Sequence, residues 1–102
     1  MPKKTPPTAL VVDLRGRSFD TFDAFWDAVV GPLGLPAEFG RNPDALRDTL
    51  QAGGVSEVVD GYDVVVVHVD RQGIFTSRDR ETRALRAAFA GRRSQLLVHP
   101  LT

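Results

Sequence analysis

Cysteine is absent from this sequence of 102 residues, and so is any excess of charge of one sign. The lack of cysteine excludes a disulfide framework, a thiolate metal site and a cysteine nucleophile, and it is compatible with a reducing cytosol. Basic and acidic residues balance at 13 each, so no overall charge attracts nucleic acid, a membrane or an acidic ligand. Electrostatic recognition by this chain must therefore come from local patches.

Long apolar runs are also missing, and no stretch approaches the roughly 18 residues that a membrane span needs. The start, MPKKTPPT, has lysines and prolines but no apolar segment behind them, which predicts a flexible tail and not a signal peptide. The hydrophobic content of 42 % is enough for one core. We therefore expect an intracellular, cytoplasmic protein with a tail over residues 1–8 and one domain over residues 9–102.

The sequence has no clear catalytic motif. No Gly-rich phosphate loop follows the first apolar run, and the two histidines, His68 and His99, fall in predicted strands, where a structural role is favoured. Asp13 and Asp70 come near the C-terminal ends of two predicted strands, where paired carboxylates could hold Mg²⁺ as in a phosphoacceptor domain. Aspartates that begin turns are the favoured interpretation of these two residues. We therefore expect neither an enzyme nor a protein that needs a metal or a cofactor.

Short apolar runs predict three strands, at residues 9–14, 62–69 and 95–99. The second run, YDVVVVHV, is almost continuously apolar and β-branched, which favours a central strand covered on both faces. Apolar residues at helical spacing, with Asp20 and Asp23 in a capping arrangement, predict a first helix that ends at Gly31-Pro32. Further helices are expected over residues 43–52 and 78–90.

The order of these elements, β-α-α-β-α-β, places helical segments between successive strands. Parallel neighbours in a sheet need crossover connections of this kind. We therefore predict an α/β fold in which a small three-stranded parallel sheet is layered with three main helices.

Arginine is concentrated in the third predicted helix and just after it. A stripe of this kind could bind phosphates, but Asp79 and Glu81 interrupt it, and few aromatic residues lie nearby to stack on bases. A solvated helix face is the favoured interpretation, and we expect no direct contact with nucleic acid. The arginines concerned are Arg78, Arg80, Arg83, Arg86, Arg92 and Arg93.

The second predicted helix has a start signal and a two-sided pattern that agree with each other. Asn42-Pro43-Asp44 combines a good N-cap residue, a proline at the first helical position and an acid in the first turn. Leu46 and Leu50 share one face. The opposite face is polar and collects Asp44, Arg47, Asp48 and Gln51.

Two acids on that polar face are not explained by helix stability. Asp44 and Asp48, at i and i+4, form a like-charge pair that slightly opposes an isolated helix. The loop before the helix adds Glu38 and Phe39, which makes a compact anionic surface with an apolar neighbour. Ordinary solvated surfaces also carry such pairs, so the residue pattern alone leaves both interpretations open.

Residues 35–50, LPAEFGRNPDALRDTL, resemble the LP-x-x-(aromatic)-G-x-N-x-DAL-x-D-x-L signature of the barstar family, the intracellular inhibitors of barnase-like ribonucleases. The spacing matches without a gap. The chain length, the order of the elements, the valine-rich strand and the terminal helix–strand pair are also similar. The resemblance implies a barstar-like fold and an inhibitor of a secreted, microbial guanyl-type ribonuclease.

In that family the loop and the second helix block the ribonuclease active site, and carboxylates occupy the places of RNA phosphates. The resemblance assigns this role to Asp44 and Asp48. It implies a ribonuclease as the protein partner of a chain that is monomeric when free. The full partner-binding surface is then expected to comprise Asp44, Asp48, Arg47, Glu38, Phe39, Asn42 and Gln51.

The chain departs from the family pattern at several positions. Arg47 stands where the family commonly has tryptophan, Glu38 where it has an aromatic residue, and Gly91 near the place of a glutamate of the last helix. Relatives that inhibit basic ribonucleases are usually acidic, whereas this chain is neutral. These departures concern the identity of the target more than the fold, and the alternative is a non-inhibitory adaptor that binds another protein through the same scaffold.

Overall fold

A computed structural model of the protein describes residues 8–36, 39–91 and 93–100. The predicted tail over residues 1–8 lies outside the described residues except for Thr8, whose amide donates a hydrogen bond of 2.9 Å to the Asp63 carboxylate. No helix of the described residues is long and apolar enough to cross a membrane. In chain order the elements are β1 (Ala9–Asp13), α1 (Phe22–Val30), α2 (Pro43–Gln51), α3 (Glu57–Asp60), β2 (Val64–Asp70), a 3-10 helix (Gly73–Thr76), α4 (Arg80–Ala88) and β3 (Ser94–His99).

The three strands form one parallel sheet in the order β1-β2-β3. Val67 of the central strand pairs with Val12 of β1 on one side and with Leu96 of β3 on the other. Helical segments connect β1 to β2 and β2 to β3. The predicted α/β fold with a three-stranded parallel sheet and three substantial helices is therefore confirmed.

Only one face of the sheet is packed against the helices. Val65, Val67 and Val69 of β2 are buried, while the residues between them are half-buried, and Val11 and Leu97 are 56 % and 38 % exposed. The prediction that β2 is covered on both faces is therefore wrong. Both connections step across the sheet in the same direction, and right-handed crossovers then place their helices on the same face.

The core between the sheet and the helices is rich in aromatic rings. Phe25 and Trp26 of α1 are fully buried, and the ring of Phe25 meets the edges of Phe19 and Phe75 at centroid distances of 5.7 Å and 5.5 Å. Such edge-to-face pairs add to the stabilisation that burial provides. Helix α2 packs beside α4, so the core holds the inner face of α2 in place.

The first helix begins one residue later than its acids suggest. Thr21 is the N-cap, and its hydroxyl accepts a hydrogen bond of 3.1 Å from the Ala24 amide. The predicted capping arrangement of Asp20 with Asp23 is therefore wrong, because the Thr21 hydroxyl satisfies the free amide of the first turn.

Two short helices lie in stretches for which no helix is predicted. Helix α3 follows Ser56, whose buried hydroxyl donates to the Leu33 carbonyl and accepts from the Val59 amide. The 3-10 helix starts at Gly73, which has φ of +59° and lies against the Phe19 carbonyl so closely that a Cβ would collide with it. This contact joins the segment after β2 to the segment after β1.

Candidate functional site

The start of α2 is set by Asn42, as the sequence predicts. Its side-chain oxygen accepts a hydrogen bond of 2.8 Å from the Ala45 amide, and its side-chain nitrogen donates to the Gly40 carbonyl at 3.1 Å. Pro43 occupies the first helical position and Asp44 the first turn. Asn42 is exposed, and its two hydrogen bonds within the chain fix the first turn of the helix.

The inner face of α2 is anchored in the core. Leu46 and Leu50 are 0 % and 2 % exposed, and Thr49 between them is also buried. The Thr49 hydroxyl donates to the Ala45 carbonyl at 2.9 Å, so this buried polar group is satisfied within the helix. The helix therefore has one possible orientation, with its polar face toward solvent.

That polar face lines an open groove of about 530 Å³. All four side chains for which the sequence predicts a shared outer face are exposed and meet in this groove, together with one residue from the end of the helix. The charges alternate along the face as negative, positive and negative. The lining residues are Asp44, Arg47, Asp48, Gln51 and Ala52.

Neither acid of this face forms an ion pair within the described part of the chain. The ion pairs among residues 8–36, 39–91 and 93–100 join Arg15 to Asp13 and Arg41 to Asp27, at 2.7 Å and 2.8 Å. Arg41, the cation that precedes α2 in the sequence, is thereby directed to α1. The carboxylates of Asp44 and Asp48 are left available to an external cation.

A second groove, of about 430 Å³, is also lined by Asp48 and is more apolar. Phe39 forms part of its wall and is held by an edge contact with the buried Trp26 at 5.7 Å between ring centroids. Val55, 44 % exposed, also lines this groove. Sequence reasoning missed Val55, although an apolar residue directly after Gly53-Gly54 in a polar stretch is a signal for it.

The family model of Barstar, described as barnase inhibitor, matches residues 9–94. The chain belongs to the Barstar family. The match runs from the first residue of β1 to the first residue of β3, and it includes α2 with both of its grooves. None of the curated proteins matches the chain.

The positions at which the chain departs from the Barstar pattern can be located in part. Arg47 is exposed in the middle of the outer face of α2, and Glu38 lies outside the described residues. Gly91, half-buried, is close to the side chain of Gln51, and a Cβ there would be 3.1 Å from its Cγ. A side chain at position 91 would therefore border the outer face of α2. Because residue 91 is glycine in this chain, it contributes no side chain there.

Asp13 and Asp70, the alternative pair for a metal, brace the turn after β1. The Asp13 carboxylate accepts two hydrogen bonds from the Arg15 guanidinium, at 2.9 Å and 2.7 Å, and one from the Arg15 amide, while Asp70 accepts from the Gly16 amide. The hydrogen bonds from the Arg15 side chain, followed by the one from its backbone, hold the pKa of Asp13 well below its usual range. Among the described residues no group of three or more His, Cys, Asp or Glu is arranged to hold a metal ion. The turn interpretation of these aspartates fits their contacts.

The two histidines contact each other across neighbouring strands. Nδ1 of His68 lies 2.8 Å from Nε2 of His99, and the ring planes differ by 21°. A contact of this length is a hydrogen bond in which one ring donates and the other accepts. The pair joins β2 to β3 on the uncovered face of the sheet, in keeping with the structural role favoured for both residues.

Proposed function

We propose that this member of the Barstar family is a stoichiometric inhibitor of a secreted, barnase-like ribonuclease, and that the outer face of α2 blocks the enzyme's active site. The observation that carries the proposal is that Asp44 and Asp48 are exposed on one helix face and have no ion-pair partner among the described residues. A ribonuclease cleft must present cationic groups to hold the phosphates of RNA. Carboxylates form short, charge-assisted hydrogen bonds with such groups, so these two aspartates can substitute for phosphates.

The helix offers its carboxylates with little loss of conformational freedom. Leu46 and Leu50 fix its inner face, and the Asn42 cap fixes its first turn. A surface that is already ordered before binding loses less entropy in a complex than a flexible loop does. Preorganisation therefore favours tight binding from a small number of polar contacts.

Asp48 is the proposed central contact of the complex. It lines both the polar groove on α2 and the apolar groove that Phe39 and Val55 help to form. A partner that covers both grooves would exclude water from Asp48, which strengthens its hydrogen bonds. A total buried area of roughly 1,600 Å² is the standard size for such an interface.

The proposal is tested by titrating the purified protein into a panel of secreted microbial guanyl-type ribonucleases and following cleavage of a fluorogenic RNA. An inhibitor should abolish the activity of at least one of them with an endpoint of one molecule per enzyme. Because the carboxylates act through charge, inhibition near that endpoint should weaken as salt rises. Full activity of every ribonuclease at a large excess of the protein would contradict the proposal.

The alternative is a non-inhibitory adaptor that binds another protein through the same face. The observation that favours it is Arg47, because a cation between two acids requires a partner surface with an acidic or neutral group opposite it. An adaptor would leave all ribonucleases active and yet retain a partner in an affinity capture that depends on Asp48. In either case we place the protein in the cytoplasm, as a monomer in its free form, where an inhibitor would protect the cell from its own nuclease.

A further inference from the structure

Four arginines surround a groove of about 400 Å³ beside α4. They come from three segments of the chain: one directly follows β2, one follows the 3-10 helix, and two lie one turn apart on α4. The groove shares no lining residue with the two grooves at α2. Its lining comprises Arg71, Phe75, Thr76, Ser77, Arg78, Arg83 and Arg86.

No acid lines this groove in the described part of the chain, and three of its guanidinium groups have no ion-pair or hydrogen-bond partner there. These are Arg71, Arg78 and Arg83. Four like charges around one groove repel one another, so their grouping does not stabilise the fold. Other arginines are engaged elsewhere: Arg15 and Arg41 in ion pairs, Arg93 with two carbonyls and Arg17 over the Phe19 ring.

Two further contacts order the groove. The Arg86 guanidinium donates to the Phe75 carbonyl at 2.9 Å, which fixes its direction while its other N–H groups stay available. The Ser77 hydroxyl oxygen accepts from the Asp79 amide at 3.0 Å, so its hydrogen is free to be donated. Planar guanidinium groups and a hydroxyl donor are the groups that proteins use to bind phosphate oxygens in pairs.

We propose that this groove binds a polyphosphate group, of the kind carried by inorganic pyrophosphate or by a nucleoside di- or triphosphate. Such a group concentrates several negative charges within the reach of four arginines, and the groove has the volume of a small-molecule site. A single-stranded nucleic acid fits less well, because it needs exposed aromatic rings for base stacking and Phe75, the aromatic residue of this groove, is buried. The site is independent of the proposed inhibitory surface.

The test is isothermal titration calorimetry of the intact protein with sodium pyrophosphate at low and at physiological salt. Sodium sulfate, which carries a divalent anion, serves for comparison of the affinities. The wild type should bind pyrophosphate saturably, one per chain, and sulfate much more weakly. The double variant Arg78→Gln with Arg83→Gln should bind pyrophosphate roughly a hundredfold more weakly, since each of the two lost charge-assisted bonds is worth about a factor of ten. Arg80→Gln is the matched control, because Arg80 is exposed on the same helix and does not line the groove, and its affinity should stay within about twofold of wild type.

The same titration with AMP, ADP and ATP distinguishes a free polyphosphate from a nucleotide, since a contribution of the base or sugar would make ADP bind more tightly than pyrophosphate. Absence of saturable pyrophosphate binding, equal affinity for sulfate, or an equal loss in Arg80→Gln would overturn the proposal. So would tighter binding of single-stranded RNA that the double variant abolishes, because the groove would then be a nucleic-acid surface. Thermal unfolding followed by Trp26 fluorescence verifies that the variants are folded. Ribonuclease inhibition should be unchanged in the double variant, so the polyphosphate site and the inhibitory function can be refuted independently of each other.

Discussion

The side chain of Asn42 accepts a hydrogen bond of 2.8 Å from the amide of Ala45, and this contact sets the first turn of the acidic helix α2. Because the amide would otherwise lack a partner within the helix, Asn42→Ala should lower the free energy of unfolding by about 1 kcal/mol. Urea denaturation followed by Trp26 fluorescence measures the change. Asn42→Asp keeps the accepting oxygen and should retain most of the stability; equal losses in both variants would show that the bond to the Gly40 carbonyl matters more than the cap.

Gly73 should tolerate no side chain. Its φ of +59° is unfavourable for any other residue, and a Cβ would collide with the Phe19 carbonyl, which also accepts a hydrogen bond from the Ile74 amide. We expect Gly73→Ala to destabilise the fold by more than the roughly 1–3 kcal/mol of backbone strain alone. Gly16→Ala is the control in the same denaturation experiment, because Gly16 has φ of +91° and no atom within 4 Å of a Cβ. If Gly73→Ala and Gly16→Ala lower the free energy of unfolding by the same amount, the proposed collision is refuted.

The ion pair of Asp13 with Arg15 should make stability depend on pH at the acid end. The pKa of Asp13 is lower in the folded than in the unfolded protein, so its contribution is complete above the unfolded value of about 3.9 and is lost as pH falls toward the folded value. Asp13→Asn should therefore have a lower free energy of unfolding than wild type at pH 7. This difference, the stability gap, should narrow below about pH 4. The effect should be modest, because both side chains are about half exposed.

Denaturation midpoints between pH 7 and pH 2 measure this dependence, with Asp23→Asn as the control for loss of an exposed acid. Asp23 lies on α1 and has no ion-pair partner among the described residues. The comparison separates the effect of the ion pair from the effect of removing one exposed negative charge. A gap for Asp13→Asn that stays constant down to pH 2 would contradict the proposed role of the pair.

Local signals explain which parts of the fold the sequence predicts well. The start of α2 depends on Asn42 and Pro43, whose preferences act within one turn, and the structure places the helix there. The coverage of β2 is a different case. A run of valines is compatible with one or two buried faces, and only the direction of both crossovers across the sheet decides between them.

The features of the two sites that the sequence does not predict depend on residues from separate segments of the chain. Arg71 directly follows β2 and lies outside the predicted arginine stripe, and the fold brings it to the same groove as Arg83 and Arg86 of α4. Arg80 and Arg93 belong to the same sequence pattern but do not line that groove, and Arg92 lies outside the described residues. Similarly, the exposure of Asp44 and Asp48 is predictable from helical spacing, whereas the pairing of Arg41 with Asp27 instead of with these acids depends on the fold.

Asp48→Ala should remove most of the proposed inhibitory activity without unfolding the protein. The residue is exposed in the free protein and makes no side-chain hydrogen bond among the described residues, so its loss should leave the denaturation midpoint nearly unchanged. In the proposed complex it faces a buried cationic pocket, and removing one member of such a pair costs about 3–5 kcal/mol. We therefore expect the inhibition constant to rise by about two to four orders of magnitude, measured with the ribonuclease that the panel identifies. Asp23→Ala removes the same charge from α1 and should inhibit as wild type does, whereas full inhibition by Asp48→Ala would move the contact surface away from α2.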